Sequence, residues 1–313
     1  MKQFEELYNE ISNNEELNNI WNKVKEEDKK IKKITLPIHI VVTIIILMIM
    51  IKLVGFKIIS LPIIGFALLM ANIMVLAFGA CFKKEQGKYD SIFKKAVIEK
   101  LINNFYDNVE YFPQKQMPKR IYDEEKYEYY NRYYSDDYIE AKINNNYDIS
   151  MAEVKTVEQK TERDRDGHTR TRNITKFHGI FAKVVIDKSI EGQLKIKRNG
   201  SFAFGKDRLE MDSSEFEKYF DVSATNKIIG MQLLTADVME ELIEFINKTN
   251  IRYDIVIKND NIYIRFHSGA MFETGSLKKG PIDKEMVQKY FYMLNFTYNL
   301  SNKIIKLINE TEI

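Results

Sequence analysis

A glycine-containing run in the second half of the chain has nearly the spacing of a phosphate-binding loop. Four residues separate Gly200 from Gly205 and Lys206 follows, but Asp207 stands where Ser or Thr would bind magnesium. A phosphate loop also leads straight into a helix whose amides contact the phosphates. Residues 207–211 instead have the pattern of a strand. We therefore predict a plain β-connection here, with no nucleotide or other cofactor.

Histidine and cysteine provide little further chemistry. We place His39 near a membrane surface, His168 at a hairpin tip, and His178 and His267 in separate strands that could meet across a sheet. No carboxylates stand at a recognisable ligand spacing, so two ordinary strand histidines are the favoured interpretation. Cys81 is the single cysteine, which excludes an intramolecular disulfide or a cysteine-built zinc site. The sequence thus indicates no catalytic, cofactor-binding or metal-binding residue.

One cluster of charge could bind a partner. Arg163, Arg165, Arg170 and Arg172 lie at the tip between two predicted strands, and residues 155–176 hold seven basic and four acidic residues, a net charge of +3. Such a tip could contact anionic lipid or an acidic protein, at about 1 kcal/mol per basic residue near an anionic surface. A merely solvated hairpin with mixed charges is the simpler alternative.

The elements that would hold this tip include an apolar block at residues 34–82. Residues 34–51 carry no formal charge, residues 58–82 contain few polar side chains, and each run is long enough to cross about 30 Å of hydrocarbon. We predict two transmembrane helices joined by the short loop 52–57. We also expect Thr43 and Asn72, at nearly equal depth, to pair as the polar contact between these helices.

Lysine bias predicts the orientation of this hairpin. Six lysines precede the first span between residues 23 and 33 and three follow the second between residues 83 and 88, whereas the loop holds only Lys52 and Lys57. Because basic residues near the membrane are retained in the cytoplasm, both termini should be cytoplasmic, with two spans in the cell membrane. A cleaved signal peptide is the alternative, but its apolar region would be shorter and closer to the N-terminus.

Four regions follow from these patterns. We predict a cytoplasmic helical segment at 1–33, the hairpin at 34–82, a helical and tyrosine-rich connector at 83–146, and a cytoplasmic α+β domain at 147–313. The fold class is α+β, with packed helices on an antiparallel sheet. The first region shows two amphipathic stripes interrupted at residues 12–14.

The spacing of apolar residues predicts the strands and helices of the last region. Alternation begins at Tyr147 and predicts a long hairpin, with arms before and after the charged tip, and a third strand at 193–198. A capping-box-like helix start is expected at Asp212. A β-hairpin of 253–257 and 262–266 should turn at 259–261. Further helices are expected at 235–249 and 283–309.

Several motifs in a fixed order resemble one bacterial family. They are Val109-Glu-Tyr-Phe-Pro113, Asp136-Asp-Tyr-Ile139, Ala152-Glu-Val154, Phe177-His-Gly-Ile-Phe181, the run from Leu209 to Val222, Leu234-Thr-Ala-Asp-Val-Met-Glu240 and Asn261-Ile-Tyr-Ile264. Together they are similar to the family called domain of unknown function 3137. The resemblance implies a membrane-tethered cytoplasmic domain of uncharacterised activity and supplies no catalytic residues.

Two classes of function remain open from the sequence. The favoured hypothesis is a non-enzymatic module at the membrane that binds lipid or an unidentified membrane or cytoplasmic protein. The alternative is a membrane-anchored hydrolase or transferase whose residues converge only in three dimensions. With 47 basic and 45 acidic residues, the chain lacks the basic excess typical of nucleic-acid binding, so no nucleic acid is expected.

Overall fold

The computed structural model describes residues 1–55, 70, 87–163, 169–200, 207–274 and 280–310. The chain divides into two compact units. One comprises Met1–Asn9, Val97–Glu273 and Lys284–Ile313, and the other comprises Glu10–Ala96 and Thr274–Asp283.

Helices dominate the first hundred described residues. Helix α1 (Phe4–Ser12) and helix α2 (Glu15–Gly55) are separated at the predicted break. Asn14 caps the start of α2, because its side chain accepts a hydrogen bond from the Leu17 amide at 2.8 Å. A further helical stretch covers residues 87–93, continues as a π-helix (Lys94–Ile98) and ends as α3 (Glu99–Asn103).

The predicted transmembrane hairpin is unconfirmed. Within the described part of the chain, no helix is long and apolar enough to cross a membrane. The second predicted span lies outside the described residues except at Met70. For the expected polar pair, only the backbone of Thr43 is described, within α2, and Asn72 lies outside the described residues.

Residues 107–266 contain the strands of one antiparallel sheet. Its strands are β1 (Asp107–Phe112), β2 (Arg132–Ile143), β3 (Tyr147–Arg163), β4 (Thr169–Arg198), β5 (Arg208–Leu209), β6 (Phe220–Ala224) and β7 (Tyr253–Phe266). Their order is β1-β2-β3-β4-β6-β5, and β7 also pairs with β4. The α+β class with an antiparallel sheet is therefore confirmed. The 30-residue strand β4 organises the sheet, because β3, β6 and β7 all pair with it.

Three strand predictions were wrong. Residues 193–198 are not a separate third strand but the end of β4. The sheet begins at Asp107 rather than at Tyr147, since β1 and β2 precede β3 in the same sheet. Residues 253–266 are not a hairpin but one strand, and both of its halves pair with β4. Asn259 does take the left-handed conformation, at φ 52°. The chain does not turn there, because the long β4 offers partners on both sides of it. The register shift beside Asn259 places extra residues on β4, between Val185 and Ile190.

Helices cover one face of the sheet. They are α5 (Ser214–Tyr219), α6 (Lys227–Leu233), α7 (Ala236–Thr249) and α8 (Lys284–Glu310). The rings of Phe245 on α7 and Phe296 on α8 lie 4.3 Å apart and both pack on Phe266 of β7. The cap of α5 differs from the expectation, because Ser213 rather than Asp212 accepts from the Phe216 amide.

The tyrosine-rich connector covers the opposite face. Residues 113–131, which we call the strap, contain the short helix α4 (Lys119–Asp123). Met117 and Tyr122 of the strap form a buried cluster with Phe177 and Phe181 of β4 and Tyr263 of β7. Charged residues follow Tyr122 in the strap, so the strap also brings carboxylates onto the sheet.

Candidate functional site

The predicted basic tip belongs to a two-stranded ribbon. Strand β2 pairs with β3 only as far as Arg132 opposite Val157, whereas β3 and β4 remain paired to Arg163 opposite Thr169. Just beyond this point, Asn131 satisfies the backbone of Gln159 at the edge of β3. Its side chain accepts from the Gln159 amide and donates to the Gln159 carbonyl, each at 2.8 Å. Beyond Gln159, the described strands therefore pair only with each other. We call residues 158–163 and 169–176 the ribbon.

Basic side chains dominate the ribbon surface. Arg163, Arg170 and Arg172 are exposed, as the sequence predicted, and Arg165 lies outside the described residues. Glu158 is the carboxylate at the base of the ribbon. A hydrogen bond from Lys176 at 2.8 Å, and a second contact with Lys160 at 3.2 Å, lower its pKa. The acidic charge of Glu158 is thus matched locally. Glu162 is the other described carboxylate of the ribbon, and the exposed cations Arg163, Arg170 and Arg172 outnumber it.

A buried arginine lies beneath the strap. Arg265 of β7 is 0% exposed, and its guanidinium stacks 4.1 Å from the ring centre of Tyr127 and 4.6 Å from that of Phe177. Its Nη2 donates to Glu128 Oε1 at 3.1 Å, and its Nε lies 3.3 Å from Glu125 Oε2. Burial lowers the pKa of Arg265 to about 9, so this side chain remains a cation at neutral pH.

Other polar contacts fix the same part of the strap. Glu128 Oε1 accepts from Thr156 at 2.7 Å, and the Tyr127 hydroxyl donates to Asp254 Oδ2 at 2.8 Å. The Lys258 ammonium donates to the Glu125 carbonyl at 3.2 Å. The strap is therefore held by charge and hydrogen bonding as well as by apolar packing.

This cluster was not predicted from the sequence. One signal was present, because Arg265 interrupts the otherwise apolar run from Ile262 to Phe266. A single charge in an apolar strand requires a buried partner.

The pKa of Glu125 in this cluster makes the stability of the protein depend on pH. Burial, with smaller effects from Asp254 and Glu128, raises its pKa from 4.5 to about 8, against the opposing effect of Lys258. An acid with a raised folded-state pKa contributes stability that is complete below its unfolded-state pKa and is lost as pH rises through the folded-state pKa. The wild-type protein should therefore lose stability from Glu125 between the two values.

We expect the Glu125→Gln variant to gain stability relative to wild type as pH rises from about 5 to 8, by up to about 1.4 kcal/mol per pH unit, because glutamine does not ionise. Denaturant unfolding of both full-length proteins at several pH values measures this difference. A difference that is constant over this range would contradict the raised pKa.

The two strand histidines do not share a site. His178 Nε2 lies 3.5 Å from Glu153 Oε1, whereas His267 Nε2 lies 2.7 Å from Asp254 Oδ2. Asp254 is 1% exposed in its side chain. Burial tends to raise its pKa, but hydrogen bonding and charge from His267, with the Tyr127 hydrogen bond, lower it overall. Of this pair, Asp254 contacts the strap, through the hydrogen bond from Tyr127.

Carboxylates also converge near the end of β1. Oxygens of Asp136, Asp137 and Glu273 lie within 4.8 Å of one another. Asp137 is buried and accepts a hydrogen bond from Tyr111, whose pKa is raised by burial and by this carboxylate. Such oxygens are the ligand type of calcium and magnesium. Exposed acidic groups are common without an ion, so this grouping alone does not assign a metal.

Comparisons with known proteins confirm the family resemblance in part of the chain. Residues 175–306, which run from β4 into α8, match the family described as Protein of unknown function (DUF3137). The motifs before residue 175 lie outside this match. No curated protein matches the chain. A crystal structure of the mycobacterial trehalose monomycolate transport factor A, TtfA, is similar over 46% of this chain and 72% of that chain, at 6% identity and a TM-score of 0.25. That score carries no functional argument.

Proposed function

We propose that this chain, whose residues 175–306 belong to the family of unknown function 3137, is a membrane-tethered protein whose ribbon contacts anionic lipid headgroups. The observation that carries the proposal is the exposure of Arg163, Arg170 and Arg172 on a ribbon that extends beyond the edge of β2. A packed sheet edge would bury its side chains, whereas this ribbon presents cations to solvent.

Sequence patterns support the tether. Residues 34–51 and 58–82 are two apolar runs of spanning length, and lysines flank them on both outer sides. In this proposal the two runs cross the cell membrane as a hairpin, both termini are cytoplasmic, and Thr43 and Asn72 pair between the spans.

The tether makes a weak attraction useful. A net charge of +3 over residues 155–176 corresponds to about 3 kcal/mol at an anionic surface. This is too small to recruit a free protein, but it can orient a domain that is already held at the membrane. The attraction decays within a Debye length of about 8 Å at physiological salt, so it acts only when the ribbon is close to the lipid.

The test uses the full-length protein in liposomes. Thr161 on the exposed ribbon is replaced by Cys in a Cys81→Ser background and labelled with a fluorophore. Headgroup-attached quenchers then report the proximity of ribbon and lipid. We expect stronger quenching in anionic than in neutral liposomes, and we expect high salt to remove the difference.

A matched variant assigns the effect to the arginines. Changing Arg163, Arg165, Arg170 and Arg172 to Ala should reduce the anionic quenching to the neutral level. Equal quenching of variant and wild type on anionic liposomes at low salt would overturn the lipid contact. The tether is measured separately, because a spanning hairpin keeps the protein in neutral liposomes during carbonate extraction.

A further inference from the structure

A cleft between α5 and α7 is lined by apolar and acidic residues, whereas the ribbon exposes basic residues. It has a volume of about 520 Å³, a size typical of sites that hold a ligand or a few side chains. Its walls come from the start of α5 and from the outer face of α7.

The floor of the cleft is a second apolar stripe on α7. Val238, Leu242 and Phe245 form the first stripe and are buried in the core. Ala236, Met239 and Ile243 recur at helical spacing on another side of the helix and line the cleft. Ala236 is exposed, and Met239 and Ile243 are half-buried. Helix α7 thus offers apolar surface on a face that the core does not fully cover.

The rim of the cleft is acidic. Glu215, Glu240 and Glu244 line it and are exposed, and no basic residue is among the described lining residues. Glu244 forms an ion pair with Lys248 one turn further along α7. Within the described part of the chain, Glu215 and Glu240 form no ion pair. Two carboxylates therefore remain available to a cation beside the apolar floor.

The apolar floor and the acidic rim together indicate which class of partner fits the cleft. Carboxylates repel the phosphates of lipids and nucleic acids, while the floor favours apolar side chains. We infer that the cleft binds a basic amphipathic helical segment of a partner protein. Its apolar side chains would contact Met239 and Ile243, and its Lys or Arg side chains would pair with Glu215 and Glu240. This binding would be independent of the lipid contact proposed for the ribbon.

The probe is a synthetic helical peptide of about four turns, with Leu on one face and Lys on the others. Its fluorescence anisotropy is measured with the full-length protein in neutral nanodiscs. We expect binding to weaken at least about tenfold when Glu215→Lys and Glu240→Lys are combined, because like charges then face each other. We expect a similar loss for Ile243→Ser. A peptide with Glu in place of each Lys should not bind.

Charge-matched controls keep the test specific. Glu285→Lys and Glu310→Lys on the exposed surface of α8 change the net charge equally but do not line the cleft. This control should retain wild-type affinity within about twofold, since exposed distant charges are screened. Equal weakening by both pairs, or equal binding of the acidic peptide, would overturn the site. Self-association abolished by reversal of Glu215 and Glu240 would instead identify a second copy as occupant.

Discussion

Replacing Arg265 with Met is expected to lower the free energy of unfolding by about 3–5 kcal/mol, the cost of removing one partner from a buried charge pair. Arg265 is the cation that faces Glu128 at 3.1 Å beneath the strap. Methionine fills part of the volume but supplies no charge. Glu128, whose side chain is only 15% exposed, would then be left without the cation that balances it.

The loss should be specific to this position and to charge. Arg252→Met is the matched control, because the Arg252 side chain is 43% exposed and lies 4.0 Å from Asp254; it should cost less than about 1 kcal/mol. Adding Glu125→Gln and Glu128→Gln to Arg265→Met should recover much of the stability, since no buried charge is then unbalanced.

Denaturant unfolding of the full-length variants measures these differences. Stability of Arg265→Met within about 1 kcal/mol of wild type would show that the buried charge pair contributes no more than a surface pair. Failure of the glutamine substitutions to recover stability would show that the loss comes from packing against Tyr122, Tyr127 and Phe177.

The second large effect is expected at Gly179, where β4 approaches the end of β7. A Cβ atom at this position would lie 1.9 Å from the Phe266 carbonyl oxygen and 2.8 Å from the Ser268 amide nitrogen. Both contacts are with backbone, which cannot rotate away as a side chain can. Gly179 also has φ +155°, a conformation that other residues rarely adopt.

We expect Gly179→Ala to lower the free energy of unfolding by at least about 3 kcal/mol, because the clash adds to the cost of a strained backbone. Gly269→Ala is a matched control. Gly269 also has positive φ, at +72°, but nothing lies within 4 Å of its Cβ position. Strain without a clash should cost about 1–2 kcal/mol. Thermal unfolding compares the two variants, and equal losses would contradict the role of close strand approach.

Local patterns determined the helices of this protein. The break between α1 and α2, the helix at 235–249 and the final helix were all predicted within a few residues. Each depends on the spacing of apolar residues, which acts within a few turns. The start of α2 also has a side-chain cap from Asn14. The exposure of Arg163, Arg170 and Arg172 follows from the same kind of local pattern, since a run of polar residues between two alternating segments has no core to enter.

Strand pairing was decided by the tertiary structure. Residues 253–266 have the alternation and the central Asn-Asp-Asn of a hairpin, yet they form one strand because β4 is long enough to pair with both halves. Alternation shows which side chains share a face of one strand, but it does not name the neighbouring strand. For the same reason, the sequence did not show that β1 and β2 join the sheet.

The buried charge cluster depended most on the tertiary structure. Arg265 was visible as a charge in an apolar strand, but its partner Glu128 lies 137 residues earlier in the chain. Glu128 had no local sign of burial, because the acidic and tyrosine residues of the strap are typical of exposed connectors. Met117, Tyr122 and Glu125 of the strap are buried because the face of β4 and β7 supplies Arg265, Lys258 and aromatic rings. Local periodicity therefore determined the elements, whereas contacts between distant segments determined which charges became buried partners.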